Sequence, residues 1–404
     1  MVEKERKVSF RDLIELPSTT YATFGLYRYP AKFIPHVVAY VLKNYAHNSM
    51  SIFDPFAGYG TVGVVSKIYG NDYELWDLNP MLEILHDIAT LETTEEINTK
   101  ELIAQMNSCS EQFIPEWSKL DYWYLREFLP LLYKAWGFYH SLQDKSLKLL
   151  LTIPLLKTTR FFSFDDVQKQ KLSKSPKSEK RMVEILTSDW ERKFPIMVEK
   201  ELKRVVRSIK EYWSLSPKRT KGVVKGGVDA LTANLEEKKD ILITSPPYLQ
   251  SQEYIRQAKM DLLWLGHSED EIKTLNKLEI PYRNVEPEPI FSATFSSTRN
   301  KIKESNLQEL FDRYFWGVVK ALTRLQEKVQ SYLFLFVGRS SIRGCPIPID
   351  RIFAEHFTAL NWVHEATLVD TIASRRMFSY RTNCATGLPD NRIRTENLVI
   401  LRRR

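Results

Sequence analysis

Apolar positions fall into short runs near both ends of the chain and into helix-spaced stripes through its middle. Ser51-Ile52-Phe53 is a short run, and Val62 to Tyr69 carries apolar residues at helical spacing. That stripe stops at Gly70-Asn71, a pair suited to a helix C-cap. Tyr73-Glu74-Leu75-Trp76 then reads as a second strand. Strand, helix, strand predicts a βαβ unit, the building block of a parallel sheet. Ahead of it, His36 to Asn48 reads as a helix, with Val37, Val38, Tyr40, Val41 and Leu42 clustered along it. Val223-Val224 and Asp240 to Ile243 predict further strands, Ser331 to Val337 a strongly apolar one, and Asn397 to Leu401 the last. Helices are expected near Tyr254 to Leu265 and over Leu307 to Lys328, with a polar stretch carrying several prolines, Glu279 to Asn300, between them.

The middle has a different character. From about Ile97 to Trp213 the pattern is helical and rich in aromatics and charge, as in Tyr122-Trp123-Tyr124-Leu125-Arg126-Glu127-Phe128-Leu129. One basic, Ser-rich stretch, Lys169 to Arg181 with Pro176 inside it, reads as a long loop. The expected class is therefore α/β, a sheet interrupted by a mainly helical insertion. Residues 1–96 form the first part of the sheet domain, 97–222 the insertion and 223–404 the second part. No internal repeat is present.

Composition narrows the class. The chain has 404 residues, of which 43% are hydrophobic, enough for a substantial core. No stretch approaches the roughly 18 uninterrupted apolar residues of a membrane span, and Met1 to Lys7 is charged where a signal peptide is apolar. The 3 cysteines (Cys109, Cys345, Cys384) are far apart, and the 7 histidines form no metal pattern. A disulfide framework and a metal centre are not expected, and the cytoplasm is the expected compartment. Lys and Arg number 58 against 50 Asp and Glu, a net charge of +8 that permits a polyanionic partner.

Candidate chemistry gathers at the ends of the predicted strands. Gly58-Tyr59-Gly60 lies between strand and helix, where glycine lets a ligand approach the backbone and the helix N-terminus. Asp77 ends the next strand about 20 residues on, the spacing at which a carboxylate accepts from ribose hydroxyls. A tight turn needing no ligand is the alternative for the glycines. Asp229, in Gly227-Val228-Asp229-Ala230-Leu231, can accept from an adenine amine or cap a helix. After the strand ending at Ile243 comes Thr244-Ser245-Pro246-Pro247-Tyr248. Two prolines stiffen that strand end and leave carbonyls, a hydroxyl and a ring facing outward. Such a platform suits a planar group bearing an amine; a Pro-Pro turn that merely ends the strand is the alternative.

Taken in order, Asp54-Pro55-Phe56-Ala57-Gly58-Tyr59-Gly60-Thr61, Asp77, Asp229-Ala230-Leu231 and Thr244 to Tyr248 resemble the motifs of S-adenosylmethionine-dependent amino-methyltransferases acting on DNA. Arg28-Tyr29-Pro30-Ala31-Lys32-Phe33 resembles that family's additional cofactor motif, and Tyr254 to Gly266 the segment after its catalytic loop. Ser374-Arg375-Arg376 and Asn383 to Pro389 are similar to its C-terminal motifs, with a weaker echo at Phe162-Ser163. The resemblance implies a Rossmann-like class I methyltransferase sheet with S-adenosylmethionine as cofactor. Pro30 and Lys32 would close the methionine end. Asp54, Pro55, Phe56, Gly58, Gly60 and Thr61 would line the methionine and ribose, Asp77 and Leu78 the ribose hydroxyls, and Asp229 and Ala230 the adenine. Ser245, Pro246, Pro247 and Tyr248 would form the catalytic platform, with Ser245 also touching the cofactor.

Within that family a Ser before Pro-Pro is usual for cytosine N4 and an acid or Asn for adenine N6, so Ser245 implies cytosine. The implied substrate is double-stranded DNA with the target base flipped out of the helix, and the implied partner a cognate restriction endonuclease. An adenine N6 enzyme, an RNA cytosine-N4 enzyme and an inactive nucleic-acid-binding protein are the competing readings. No Pro-Cys-Gln, the nucleophile motif of carbon-5 cytosine enzymes, is present. The cofactor motif precedes the catalytic motif, the reverse of many Ser-Pro-Pro-Tyr enzymes, which makes the insertion the candidate target-recognition region. Lys169, Lys171, Lys174, Lys177, Lys180 and Arg181 are candidate phosphate contacts, and Arg375, Arg376 and Arg381 candidate contacts near the catalytic loop. A solvated loop and surface ion pairs are the respective alternatives. Tyr122 to Tyr124 is expected to be helix core.

Overall fold

The computed structural model describes residues 4–30, 32–92, 97–166, 169, 172–249, 253–280, 282–371 and 395–404. Its strands are β1 (Glu5–Val8), β2 (Ser51–Asp54), β3 (Asp72–Asp77), β4 (Gly222–Gly226), β5 (Lys239–Thr244), β6 (Val329–Gly338), β7 (Ser340–Ile342), β8 (Cys345–Ile347), β9 (Trp362–Thr371) and β10 (Thr395–Arg403). Eight of them form one sheet in the order β1-β9-β10-β6-β5-β2-β3-β4, and β7 pairs with β8 as a separate ribbon. The pairings are parallel except at β10, which runs antiparallel to both β6 and β9. This is the α/β sheet with a helical insertion that the pattern predicts, Rossmann-like as the resemblance implies.

Period-two alternation sorts the strand residues into two cores, one per face. Ile52, Ile241, Ile243, Phe334, Phe336, Leu398 and Ile400 join one cluster. Phe53, Leu242, Leu333, Leu335, Val399 and Leu401 join the other. Both faces are covered, which is why these strands read as continuous apolar runs. Helices Ser305–Leu325 and Ile349–Ala359 cover the second face. Helices Pro35–Tyr45, Thr61–Tyr69, Met81–Ala89 and Tyr254–Trp264 cover the first.

The inserted helices share that first core. Their largest members are Leu129–Ser141, Lys145–Phe161, Pro176–Leu186 and Trp190–Trp213. Polar ties fasten them to the sheet domain. The Tyr212 hydroxyl donates to the Val64 carbonyl at 3.1 Å, Trp213 Nε1 to Leu91 at 2.8 Å and Arg204 to the Leu26 carbonyl at 3.0 Å. Arg160 bridges Asp165 and Asp261, each at 2.9 Å, and Asp261 also accepts from the Tyr27 hydroxyl.

One expectation needs correcting here. The stretch Lys169 to Arg181 is not a loop throughout, because the helix Pro176–Leu186 begins inside it. Pro176 sits at the first turn, where its missing N–H costs nothing, and Ser175 and Ser178 form a capping box. Proline there is a start signal. Four strands, β1, β7, β8 and β9, are not among those the pattern predicts. β1 is Glu-Arg-Lys-Val at the sheet edge and exposes its first three residues, so no apolar period is available to read.

Candidate active site

In an open α/β sheet, ligands bind beyond the carboxyl ends of the strands, where the strand order reverses. That reversal falls between β2 and β5. Beyond it lies a cavity of about 820 Å³, counting its open mouth.

The turn after β2 forms one wall. Gly58 and Gly60 adopt φ +55° and +83°, values that favour glycine. A Cβ on Gly58 would stand 3.0 Å from the Tyr29 ring, so a side chain there is both strained and crowded. Asp77 at the end of β3 fixes the turn from the next strand. Its two carboxylate oxygens accept from the N–H of Gly58 at 2.7 Å and of Asn79 at 2.8 Å. Burial pushes the Asp77 carboxyl up to about 6 against the pull of those N–H groups.

Most of the expected cofactor residues meet at this cavity. Pro55, Phe56 and Gly58 line it from the turn, and Asp77 and Leu78 from the end of β3. Pro30 and Lys32 close another side, Asp229 and Ala230 a third, and Ser245 and Pro247 a fourth. Asp54, Gly60 and Thr61 stand behind the wall. Gly60 caps the helix Thr61–Tyr69, and Thr61 is buried with no hydrogen-bond partner for its hydroxyl among the described residues. Asp54, only 1% exposed, accepts from the Phe56 N–H at 3.0 Å and from the Thr244 hydroxyl at 2.6 Å. It bolts the end of β2 to the strand that carries Ser245, and burial pushes its carboxyl up to about 7.

Two charged wall residues have their own local partners. The Lys32 amine donates to the Phe24 carbonyl and lies 3.3 Å from the centre of the Tyr59 ring; burial holds its pKa well below the ordinary lysine value. Asp229 accepts from the Leu231 N–H and the Thr232 hydroxyl, each at 3.1 Å, and pairs with Arg283 at 2.8 Å. These bonds close a turn and cap no helix, since none begins at Asp229, and the residue borders the cavity.

Sequence reasoning missed several wall residues. Tyr29 and Tyr254 stack with ring centres 6.4 Å apart, joining the Pro30 segment to the helix that follows Ser245 to Tyr248. Glu279, 6% exposed, accepts from the Ile255 N–H at 3.0 Å, and burial pushes its carboxyl up to about 7. It lies in the polar, Pro-rich stretch, where no local motif singles it out.

On the Ser245 to Tyr248 segment, Ser245 and Pro247 face the cavity and Pro246 is buried. Tyr248 is half-buried, and its hydroxyl donates to Glu396 on β10 at 2.5 Å. Burial and the Glu396 carboxylate together push the Tyr248 pKa well up.

The basic stretch contributes less free charge than its composition suggests. Lys174 lies 3.7 Å from the centre of the Tyr122 ring and 4.1 Å from that of Phe164, and burial lowers its pKa. Arg181 donates to the carbonyls of Ser163 and Asp165, both at 2.6 Å, and Lys180 pairs with Glu184 at 3.9 Å. Lys169 and Lys177 are exposed. Trp123 and Tyr124 are buried as expected of core, whereas Tyr122 is 52% exposed. Lys171, Ser374, Arg375, Arg376, Arg381 and Asn383 to Pro389 lie outside the described residues. Among the described residues no group of His, Cys, Asp and Glu could hold a metal ion, and no helix is long and apolar enough to cross a membrane.

No family model matches the chain. It is 22% identical to the Type II methyltransferase M.MvaI of Kocuria varians, over 89% of this chain and 86% of that protein. It is 27% identical to the Type II methyltransferase M.MjaII of Methanocaldococcus jannaschii over 147 residues, 33% of this chain and 28% of that protein. Among solved structures, the rRNA methyltransferase AviRa from Streptomyces viridochromogenes aligns over 98% of this chain and 96% of its own, at 9% identity and a TM-score of 0.33. The curated relatives support a methyltransferase.

Proposed function

We propose that the protein methylates DNA, transferring a methyl group from S-adenosylmethionine to the exocyclic N4 amine of cytosine as the modification enzyme of a restriction-modification system. The observation that carries this reading is the meeting of Ser245 and Pro247 with the glycine turn and Asp77 around one cavity. Both curated relatives bear the name of Type II methyltransferases, which favours DNA as the substrate.

The residues present fit the cofactor. A glycine turn at positive φ, with a carboxylate at the end of the next strand, suits the close approach of a nucleoside. Pro30, Lys32, Pro55, Phe56, Gly58, Asp77, Leu78, Asp229 and Ala230 would hold it. Bound there, S-adenosylmethionine supplies an electrophilic methyl group. Asp54, Gly60 and Thr61 act from behind, fixing the turn and the strand ends.

An exocyclic amine is a weak nucleophile because its lone pair is conjugated with the ring. The Ser245 hydroxyl and the Pro246 carbonyl accept the amine hydrogens, which favours a pyramidal nitrogen and frees that lone pair. Acceptors held in place before the reaction stabilise the developing charge without reorganising, and positioning supplies much of the remaining rate. No enzyme-bound covalent intermediate is needed. The target base must leave the duplex, and Tyr248 stacks on it. Such stacking is worth about 1–3 kcal/mol, comparable to the few kcal/mol of extrusion. Ser245, where an acid would stand in a typical adenine enzyme, favours cytosine.

The division into 1–96, 97–222 and 223–404 assigns target recognition to the helical insertion. Lys169, Lys171, Lys174, Lys177, Arg375 and Arg376 are the assigned nucleic-acid contacts, with Lys174 the weakest because its amine is engaged by two rings. A cognate restriction endonuclease is the expected functional partner. To test the substrate class, the protein is incubated with labelled cofactor and either DNA or RNA, and the label in each polymer is counted. Label in DNA is expected; label in RNA alone would contradict the reading.

A further inference from the structure

β10 is antiparallel to its neighbours, so it begins where β6 and β9 end. Glu396, its second residue, is in register with Gly338 of β6 and Asp370 of β9. Its carboxylate therefore stands at the same edge of the sheet as Ser245, and it reaches across to the Tyr248 hydroxyl at 2.5 Å. Among the described residues, the charged groups that face it from neighbouring elements are unlike one another. Asp370 of β9 repels it, and Arg11 of the short helix Phe10–Leu13 attracts it while lying 3.6 Å from Asp370 itself.

Enclosing a carboxylate is unfavourable unless it gains hydrogen bonds in return. Asp370 opposes a charge at this half-buried position and Arg11 favours one. An acid here has a clear use in the contact that it makes. An aromatic ring held by packing alone can swing about its side-chain bonds. A hydrogen bond at the para position fixes where the far end of the ring lies, because the hydroxyl is the point farthest from the backbone.

We infer that Glu396 is a positioning residue for methyl transfer, anchoring the far end of the Tyr248 ring on which the extruded base stacks. The inference rests on the proposed amino-methyltransferase reading and adds to it a residue outside the catalytic segment. Glu396 touches neither cofactor nor reacting atoms; it acts through the tyrosine.

The test compares Glu396→Met, Glu396→Gln, Tyr248→Phe and the double variant Glu396→Met/Tyr248→Phe, reading kcat and KM for DNA together with the cofactor Kd. Glu396→Met keeps the volume and removes the acceptor. It is expected to lower kcat by about ten- to a hundredfold, as small misplacements of reacting groups do, while the cofactor Kd stays at the wild-type value. Glu396→Gln retains an acceptor oxygen and should lose less. Tyr248→Phe breaks the same bond from the other side and should match Glu396→Met, with the double variant no worse than Tyr248→Phe alone. Wild-type kcat and KM in Glu396→Met, or an equal loss on adding it to Tyr248→Phe, would overturn the inference. Should Glu396→Met fail to bind cofactor, Tyr248→Phe alone decides, because unchanged turnover there overturns it as well. A wild-type protein that labels no nucleic acid overturns the functional reading and takes the inference with it. A wild type that labels DNA with variants equal to it overturns the inference alone.

Discussion

The cavity at the ends of β2, β3 and β5 and the basic stretch from Lys169 to Arg181 both stood out in the sequence, and they behave differently in the fold. Around the cavity, side chains far apart in sequence are held by backbone groups and by one another. Asp77 grips the turn at Gly58, and Asp54 grips Thr244. In the basic stretch, by contrast, several cations serve the fold. Lys174 covers two rings and Arg181 satisfies two carbonyls. A motif whose residues constrain backbone geometry predicts a site better than a run of like charge, because charge can be consumed locally and a left-handed turn cannot.

Substitutions can break that contrast in graded steps. The largest effect is expected at Ser245→Ala, which should lower transfer by about 10²–10³-fold, as loss of a preorganised polar group does, with the cofactor Kd unchanged; equal turnover would remove the serine from the site. Next, Gly58→Ala forces a side chain into φ +55° and against the Tyr29 ring. Strain of that kind costs about 1–3 kcal/mol, and calorimetric titration should show cofactor affinity falling by about tenfold or more. Asp77→Ala should weaken cofactor binding by about tenfold, the worth of one charge-assisted hydrogen bond. The smallest effect separates two lysines. Lys169→Ala should reduce the salt slope of DNA binding by about 1, and Lys174→Ala by less, since its amine is already engaged.

Acidity offers an independent check. The Asp77 carboxyl, pushed up to about 6, loses its charge as pH falls through that value, so cofactor affinity should drop below pH 6 and the drop should vanish in Asp77→Asn. The stability effect has the opposite sign. Asp54, Asp77 and Glu279 all have folded pKa values above the ordinary carboxylate range. The folded state therefore takes up protons before the unfolded chain does, and these groups favour folding increasingly as pH falls from about 7 toward 4.

Much of the sheet was legible because its strands are buried on both faces and its first helix ends in glycine. The turn at Gly58 and its Asp77 were legible because the βαβ unit fixes their separation. What escaped were partners set by tertiary folding. Glu396 meets Tyr248 across 148 residues, and Glu279 meets the Ile255 backbone across 24. Neither carboxylate belongs to a local pattern, and each is placed only once the sheet order is known. β1 escaped for another reason: an exposed edge strand of charged residues has no apolar period to betray it. The helix Pro176–Leu186 begins inside a stretch whose basic, Ser-rich composition reads as a loop, although Ser175 before Pro176 is a typical N-cap.

The central claim concerns one atom of the substrate, and it can be tested at that atom. DNA labelled from methyl-labelled S-adenosylmethionine is digested to nucleosides, and the labelled nucleoside is identified by mass spectrometry. N4-methylcytosine is the predicted product. N6-methyladenine would contradict the role given to Ser245 in choosing the base, and 5-methylcytosine would contradict the direct attack of the amine.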